Sequence, residues 1–424
     1  MDFSKNKQLE YIDKIIEVCF ICLVFILPVA HTMTIRSIFI YLPAILWVYK
    51  MILKKEVLFI RNQMTLPLII FSVIAALSLL TAVNPGYALR ELQGEMITDF
   101  LLFFLLLNNV RNMKQVNRII LSLLFGSLVQ GIYSVFTYFS QNGNWLESLL
   151  DYNIKAWGLT AGYISYSVFL ITIIPFIFYK IMTSAGQKRF MFILLLLLNL
   201  FMLYLTHQRG ALVALFVQVF IFFWFVKRRM AYLVIGIAAL AIFIMPSNLL
   251  YHGTDVVDLK TEETVNYENT INSRIALWKF TVREIAGHPF SGIGFGRHSF
   301  SAKYNQFRGT DLWHSLNTFL NITIQLGIQG LLAFIFILYR LTKTYVSGLK
   351  ESRGEAYYFF LASLMCIAGF FIRNMFDDHY VDDNGQMFWV LTGLALAVFI
   401  QIKKLAYNRT SFLSKKEGQT EQGI

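Results

Sequence analysis

Three kinds of side chain in this sequence could do chemistry: arginines in short turns, a few histidines beside hydroxyl or amide residues, and one run of acids. Arg209 stands in Thr206-His207-Gln208-Arg209-Gly210, between two strongly apolar stretches. A guanidinium there reads equally as an interfacial side chain with its head in water and as a fork for a phosphate, whose oxygens match its paired N–H groups. Arg90, in Pro85-Gly86-Tyr87-Ala88-Leu89-Arg90, carries the same two readings. Arg274 opens an amphipathic stretch that continues Ile275-Ala276-Leu277-Trp278, and Arg297 follows Gly292-Ile293-Gly294-Phe295-Gly296. Those glycines loosely resemble a phosphate-cradling loop, but no parallel-sheet pattern surrounds them, so they read as a turn before a helix. His288, directly before Pro289, reads as structural.

His314 lies in Trp313-His314-Ser315-Leu316-Asn317, just ahead of an apolar run. It is either a solvated interfacial ring or, since imidazole titrates near neutrality, a group able to take a proton from a hydroxyl. The segment from Arg373 to Asp383 sets Asp377, Asp378, Asp382 and Asp383 beside one arginine and His379. Those types could ligate a divalent metal; ion pairing with arginines earlier in the chain is the favoured reading. There is no P-loop, no GxSxG and no HExxH, and nothing suggests a nucleotide-driven pump.

The elements that must position these residues follow from composition. Of 424 residues 57% are hydrophobic and 15% charged, against roughly 25% charged in soluble domains. Runs such as Phe192–Leu205 carry no charge at all. This excludes a cytosolic enzyme, a secreted disulfide domain and a disordered chain. The expectation is an all-α polytopic membrane protein with about twelve transmembrane helices, from 15–31 to 387–402. The fourth, 97–109, is short and begins near Asp99. No cleavable signal peptide is evident. Cys19, Cys22 and Cys366 lie in apolar segments and read as packing residues. Gly327 and Gly330 read as allowing close helix packing. No internal repeat is found, and no helix reads as broken at mid-membrane.

The net charge of +12 is an orientation signal before it is anything else. Both tails and every second loop hold 25 of the 37 Lys and Arg, which places both termini in the cytoplasm. Nucleic-acid binding is not needed to explain it. Residues 1–246 read as transmembrane helices 1–9. Residues 247–312 read as one large periplasmic loop with short helices, 313–404 as helices 10–12, and 405–424 as a cytoplasmic tail, disordered from Ser414. A loop of sixty-odd residues is too long for a connector and suggests a site.

Taken together, these residues resemble the O-antigen ligase and polymerase superfamily of bacterial envelope glycosyltransferases. The resemblance covers most of the chain. It rests on the Thr-His-Gln-Arg-Gly-Ala turn at 206–211, the late periplasmic loop with its Ser-Arg and His-Pro-Phe-Ser-Gly-Ile-Gly-Phe-Gly segments, a histidine segment leading into a Gly-x-x-Gly helix, and the Arg-Asn-Met-Phe-Asp-Asp turn at 373–378. The ligase pattern sets a histidine directly before an Asn, Ser or Gln, with nine residues between the latter and the first glycine. Here Asn317 has that spacing to Gly327, Leu316 stands in the histidine's place, and His314 matches the first histidine of members that read His-x-His-Asn.

The resemblance implies a C-type, all-helical glycosyltransferase in the bacterial inner membrane, working on the periplasmic face without metal or other cofactor and inverting the anomeric centre. The donor would be a glycan on undecaprenyl pyrophosphate. For a ligase, favoured by the 206–211 and 373–378 segments, the acceptor would be lipid A–core; for a polymerase, the lipid-linked glycan itself. A lipid-linked sugar flippase and a protein O-oligosaccharyltransferase are the remaining readings. His314 and Arg209 would be catalytic, with Arg274, Arg90, Arg297, Arg373 and Asn317 binding substrate.

Overall fold

The structure is a computed structural model, and it describes residues 2–57, 59–60, 62–140, 154–244, 271–308 and 312–421. Residues 247–270 of the expected loop, and residues 309–311, lie outside the described residues. No strand occurs among the described residues; their regular elements are all helices. Its helices are α1 (Asp2–Ile26), α2 (Met33–Lys54), α3 (Thr65–Leu77), α4 (Pro85–Glu91), α5 (Thr98–Asn109), α6 (Met113–Ser140), α7 (Tyr163–Thr183), α8 (Gly186–Leu205), α9 (Arg209–Val226) and α10 (Arg228–Ile244). They continue as α11 (Ile271–Gly287), α12 (Arg297–Arg308), α13 (Thr318–Glu351), α14 (Gly354–Arg373) and α15 (Asp382–Glu421).

Eight of these, namely α2, α6–α9, α13, α14 and α15 up to Ala406, are long and apolar enough to cross a membrane. The other apolar stretches also fold as helices, but α3, α5 and α10 are shorter and α1 carries Glu10, Asp13, Lys14 and Glu17 within its apolar run.

The pattern along α2 shows what solvent the bundle is built for. Ile45 and Ile52 are 65% and 67% exposed, whereas Lys50 on the opposite face is 1% exposed. Apolar side chains point outward at helical spacing and cations point inward, the arrangement expected where the surroundings are hydrocarbon. Each inward cation is paired: Lys50 with Asp13 at 2.5 Å and Asn109 at 3.2 Å, and Arg36 with Asp383.

Charged pairs collect at two opposite ends. One end holds Arg111–Asp13, Arg118–Glu17, Lys180–Glu355 and Lys403–Glu351, all basic residues of the expected cytoplasmic set. The other end holds Arg36, Arg297 and Arg373, each beside an aspartate. Below this second end Phe334, Phe370, Phe371, Tyr380 and Phe388 interlock with ring centroids 5.3–6.2 Å apart. That aromatic layer joins α13, α14 and α15 into one floor.

The fourth stretch is short, as expected, and continues what precedes it: α4, a π-helical turn over Leu92–Ile97 and α5 run on without a break. Two expectations need correcting. Gly327 is not a packing glycine in a regular helix. Its φ of 74° interrupts α13, about 13 Å from the helix start at 1.5 Å per residue, and Ile328 N–H bonds instead to Pro289 O at 2.8 Å. Finally, the backbone of α15 stays helical to Glu421, well past Ser414; the Lys, Glu and Gln there are good helix formers and no proline stops it.

Candidate active site

The charged end is organised around the loop that follows α14. Arg373, 1% exposed, closes that helix and spreads its fork over three elements. Its Nε donates to Ser167 Oγ of α7 at 3.2 Å, and Nη2 reaches Gln208 Oε1 at 3.2 Å and Asp377 Oδ2 at 3.5 Å. One guanidinium thus ties α7, the residue before α9 and the loop together. The start of α13 grips the same loop. Asn317 Oδ1 accepts from the N–H groups of Phe319 and Leu320, a helix cap. Its Nδ2 donates to Met375 O at 3.1 Å, and Thr318 N–H bonds Asn374 O at 3.0 Å.

Asp378 ties the loop to α13. Its two carboxylate oxygens accept from Thr318 Oγ1 and Asn321 Nδ2, both at 2.6 Å. Arg297, at the start of α12, lies with Nε 3.7 Å from that carboxylate and donates through Nη2 to Asp378 O. The expected pairing of this acid run with an arginine of the preceding loop is therefore met.

Arg274 on α11 approaches from the far side and donates to Phe376 O at 2.7 Å. Phe376 also packs against Gly210, where an added Cβ would sit 3.1 Å from Phe376 Cβ; the Arg209 end of α9 is thereby seated on the loop. Arg209 itself is exposed. Arg90 is exposed too, 5.9 Å from the Tyr87 ring centroid, and shares with Arg297 the lining of a cavity of about 490 Å³. Among the described residues no carboxylate pairs with Arg209, Arg274 or Arg90, whereas Arg297 and Arg373 are each beside an aspartate.

His314 stands before α13 and is half-buried; its Nδ1 accepts from Leu316 N–H at 3.3 Å. Leu316 has φ of 55°, a left-handed conformation that is strained for a leucine. Behind it Trp278 Nε1 donates to Ser315 O at 2.9 Å, fixing the His314 segment to α11.

Burial, reinforced by Arg297 and Arg274, lowers the affinity of His314 for a proton. His379, 3.7 Å from Asp377 Oδ1, is lowered by burial to about 4 despite that acid. Both rings are neutral at pH 7. Burial alone would raise the Asp377 carboxyl, but His379, Arg373 and His314 around it and the Asp378 N–H at 2.9 Å hold it below the usual carboxylate range. Among the described residues the site therefore combines neutral imidazoles with guanidinium groups that no carboxylate pairs, a setting suited to a multiply charged anion.

Of the seven candidates from the sequence, Arg274, Arg297, Arg373, His314 and Asn317 converge on the loop, Arg209 flanks it and Arg90 lies across the cavity. The hydrogen-bonding groups of Arg373 and Asn317 are engaged with protein. Residues not singled out from the sequence are Ser167, Asn321, Glu95 and Asp99, and Gln208, quoted only as part of the Arg209 turn. Glu95 and Asp99 did carry a signal: two acids four apart at the start of an apolar run are costly there without a role.

Comparison with known proteins bears on this arrangement. Residues 192–335 match the family model described as O-antigen ligase. A Rickettsia felis protein named "Putative polysaccharide ligase" is 27% identical over 141 residues, 30% of this chain and 31% of its own length. A Rickettsia prowazekii protein with the same designation is 28% identical over 141 residues, with the same coverage. The matched part thus spans about a third of these relatives. The likeness to the O-antigen ligase family holds over the stretch that contributes Arg209, Arg274, Arg297, His314 and Asn317, the residues that surround the loop after α14.

Proposed function

We propose that this chain is an O-antigen ligase: a multi-pass glycosyltransferase of the bacterial inner membrane that moves polysaccharide from undecaprenyl pyrophosphate to lipid A–core. Its termini face the cytoplasm and its arginine loop the periplasm. The observation that carries the reading is the set of guanidinium groups that no carboxylate pairs among the described residues, Arg209 and Arg274 at the loop and Arg90 beyond Arg297.

In the proposed reaction an acceptor hydroxyl oxygen attacks the anomeric carbon and the bond from that carbon to the pyrophosphate oxygen breaks. Undecaprenyl pyrophosphate leaves with the bonding electrons, and direct displacement inverts the anomeric centre. Charge on the leaving group grows along this path, so arginines held in place beforehand stabilise the transition state more than the bound donor. Arg209 and Arg274 serve as that clamp, with Arg90 on the approach; Arg373 and Asn317 shape the loop that aims them.

The hydroxyl proton goes to His314, which is neutral at the working pH. A second reading of this residue comes from its hydrogen bond. Because Nδ1 accepts from Leu316 N–H, the ring proton sits on Nε2, which then offers a donor to a phosphate or sugar oxygen instead of a base.

The test is a lipopolysaccharide gel from a strain lacking the gene, with and without complementation. A ligase leaves bare core and accumulated lipid-linked polymer. Core capped by single repeats means a polymerase, and an unchanged ladder in a strain with no second copy overturns both.

A further inference from the structure

The cavity of about 490 Å³ beside the arginine loop lies among α2, α4, the π-turn, α5, α12 and α15, and Arg90, Arg297, His298 and Trp313 line it. Four acids stand in the same wall, Glu91, Glu95, Asp99 and Asp382. Among the described residues only Glu91 of these four is paired with a histidine: its Oε1 lies 2.9 Å from His298 Nδ1.

Both members of this pair are fixed. Glu91 closes α4, and its carboxylate accepts from the backbone N–H groups of Arg297 and His298 at 3.0–3.3 Å. It therefore caps the start of α12, a position where the helix dipole favours an acid. Gly296, with φ of 97°, brings its backbone against the same carboxylate; an added Cβ there would overlap it. The ring is clamped by aromatic neighbours. Tyr87 stacks on it with centroids 4.4 Å apart and planes 2° from parallel, and Trp313 meets it edge-on at 4.8 Å. Capping a helix requires the carboxylate alone, so it does not explain an imidazole locked against that carboxylate.

The contact sets the tautomer. His298 Nδ1 is buried against Glu91. A lone pair there would face a carboxylate oxygen and be repelled, so the ring proton sits on Nδ1. Nε2, on the opposite edge, is left as an acceptor. With 36% of the side chain exposed, that is the edge turned to the cavity. His314, next in sequence to Trp313, is set the other way: its Nδ1 accepts from Leu316 N–H and its proton sits on Nε2. One ring thus offers a donor and the other an acceptor. A carboxylate behind an imidazole whose far nitrogen is free is the arrangement that takes a proton from a hydroxyl.

Resting on the ligase reading above, with His314 in its donor role, we infer that His298 takes the acceptor's proton and that Glu91 positions it for the task. As the acceptor oxygen bonds to the anomeric carbon, its proton moves to His298 Nε2. The bond from that carbon to the pyrophosphate oxygen breaks, and undecaprenyl pyrophosphate leaves with the electron pair. The imidazolium, whose charge Glu91 offsets, then gives its proton to the departing pyrophosphate or to water, and the neutral ring returns. Arg90 opens onto the same cavity, and no carboxylate pairs with it among the described residues. A cation for the leaving group and an acceptor for the proton therefore face one volume, within the range of small-molecule sites, about 300–1,000 Å³.

The experiment follows transfer by the full chain purified in detergent, with the host's lipid-linked glycan as donor and lipid A–core as acceptor. His298→Asn keeps an N–H for Glu91 but has no base; kcat should fall about 10²-fold or more, with the donor KM within about threefold of the parent's. His298→Ala should lose as much and regain about tenfold with added imidazole, for which the cavity has room. Glu91→Gln keeps an oxygen for the α12 N–H groups, so a fall of about tenfold or more in kcat at unchanged KM reports its hold on the ring. Size-exclusion profiles establish that the variants are folded; should His298→Asn not be, the imidazole response of His298→Ala decides alone.

Parent-level kcat in folded His298→Asn, or a His298→Ala protein that imidazole does not restore, overturns the inference. A raised donor KM at unchanged kcat makes the ring a binding group and overturns it too. Parent-level kcat in Glu91→Gln removes Glu91 from the positioning role. If the parent protein extends the lipid-linked glycan instead of loading lipid A–core, the ligase reading fails while the same variants still decide the proton acceptor. A parent that transfers to neither acceptor ends both.

Discussion

Asp378 and Arg297 are joined twice, through the carboxylate 3.7 Å from Nε and through the Asp378 carbonyl, which accepts from Nη2. The same carboxylate anchors Thr318 and Asn321 of α13. Replacing Asp378 by Ala therefore orphans two buried donors and leaves a guanidinium without its counter-charge. A loss of about 3 kcal/mol is expected, the scale of a broken buried pair, read as a lowered thermal unfolding temperature in detergent. An unchanged unfolding temperature would show that the pair contributes nothing to the loop.

The arginines should divide by whether they are already paired. Arg209→Ala and Arg274→Ala remove cations that hold no carboxylate, so the protein should stay folded and transfer should fall by about 10²-fold or more, the scale of a lost transition-state donor. Arg274→Lys should recover little, because a point charge does not replace the fork. Arg373→Ala should instead unfold the site, since Ser167, Gln208 and Asp377 all lose their common partner. Gel ladders from complemented strains, with membrane levels of each variant measured alongside, check the division. Parent-level transfer by Arg209→Ala would end its assignment to the pyrophosphate.

His314→Gln separates the two roles of that ring. Glutamine can donate to an oxygen but is no base at pH 7. A fall of about 10²–10⁴-fold in kcat marks a proton acceptor; retention within tenfold marks a hydrogen-bond donor. In the first case the acid limb of the rate profile should lie below pH 6.5, because burial and the neighbouring arginines lower the ring's proton affinity.

Much of this was readable from the residues. The Lys and Arg count divides the loops as the two charged ends do in space, because the same charges that set orientation also pair across neighbouring helices. That Arg274, Arg297, His314 and the 373–378 turn lie on one side followed from the sidedness of the apolar runs; that they belong to one site was implied by the family resemblance. The partners of Arg373 were not readable: Ser167 and Gln208 meet it only through packing between helices far apart in sequence. Glu95 and Asp99 escaped for another reason. A π-turn shifts the helical phase, so counting faces at 3.6 residues per turn aims these acids wrongly. Gly327 was legible as special, but whether a glycine admits a close neighbour or breaks the chain depends on what lies opposite it.

Acid should loosen the site. His379 is held at about 4 in the fold against 6.5 for a free imidazole. Between those values the unfolded chain binds a proton that the folded one refuses, so stability falls as pH drops from 6.5 toward 4. Asp377, held below its usual range, acts in the same direction at still lower pH, since its contribution is lost once its carboxyl protonates. Thermal unfolding in detergent at stepped pH should show the decline, and His379→Gln should flatten the part above pH 4. The same slope in both proteins would move the effect to another group.

Gly327→Ala tests the break in α13. At φ of 74° an alanine is strained, and its Cβ would lie 2.6 Å from Phe290 O. The clash is with backbone, which cannot swing aside as a side chain can. Either the Pro289–Phe290 segment moves away or the helix straightens, and both displace the Gly292–Gly296 turn that leads into Arg297, because Ile293 and Gly294 bond to Ile324 O and Gln325 O just ahead of the break. Transfer should therefore fall by about tenfold or more although no substrate-facing group has changed, with a stability loss of about 1–3 kcal/mol from the strained backbone. Parent-level transfer at full stability would mean that the break is not needed to place Arg297.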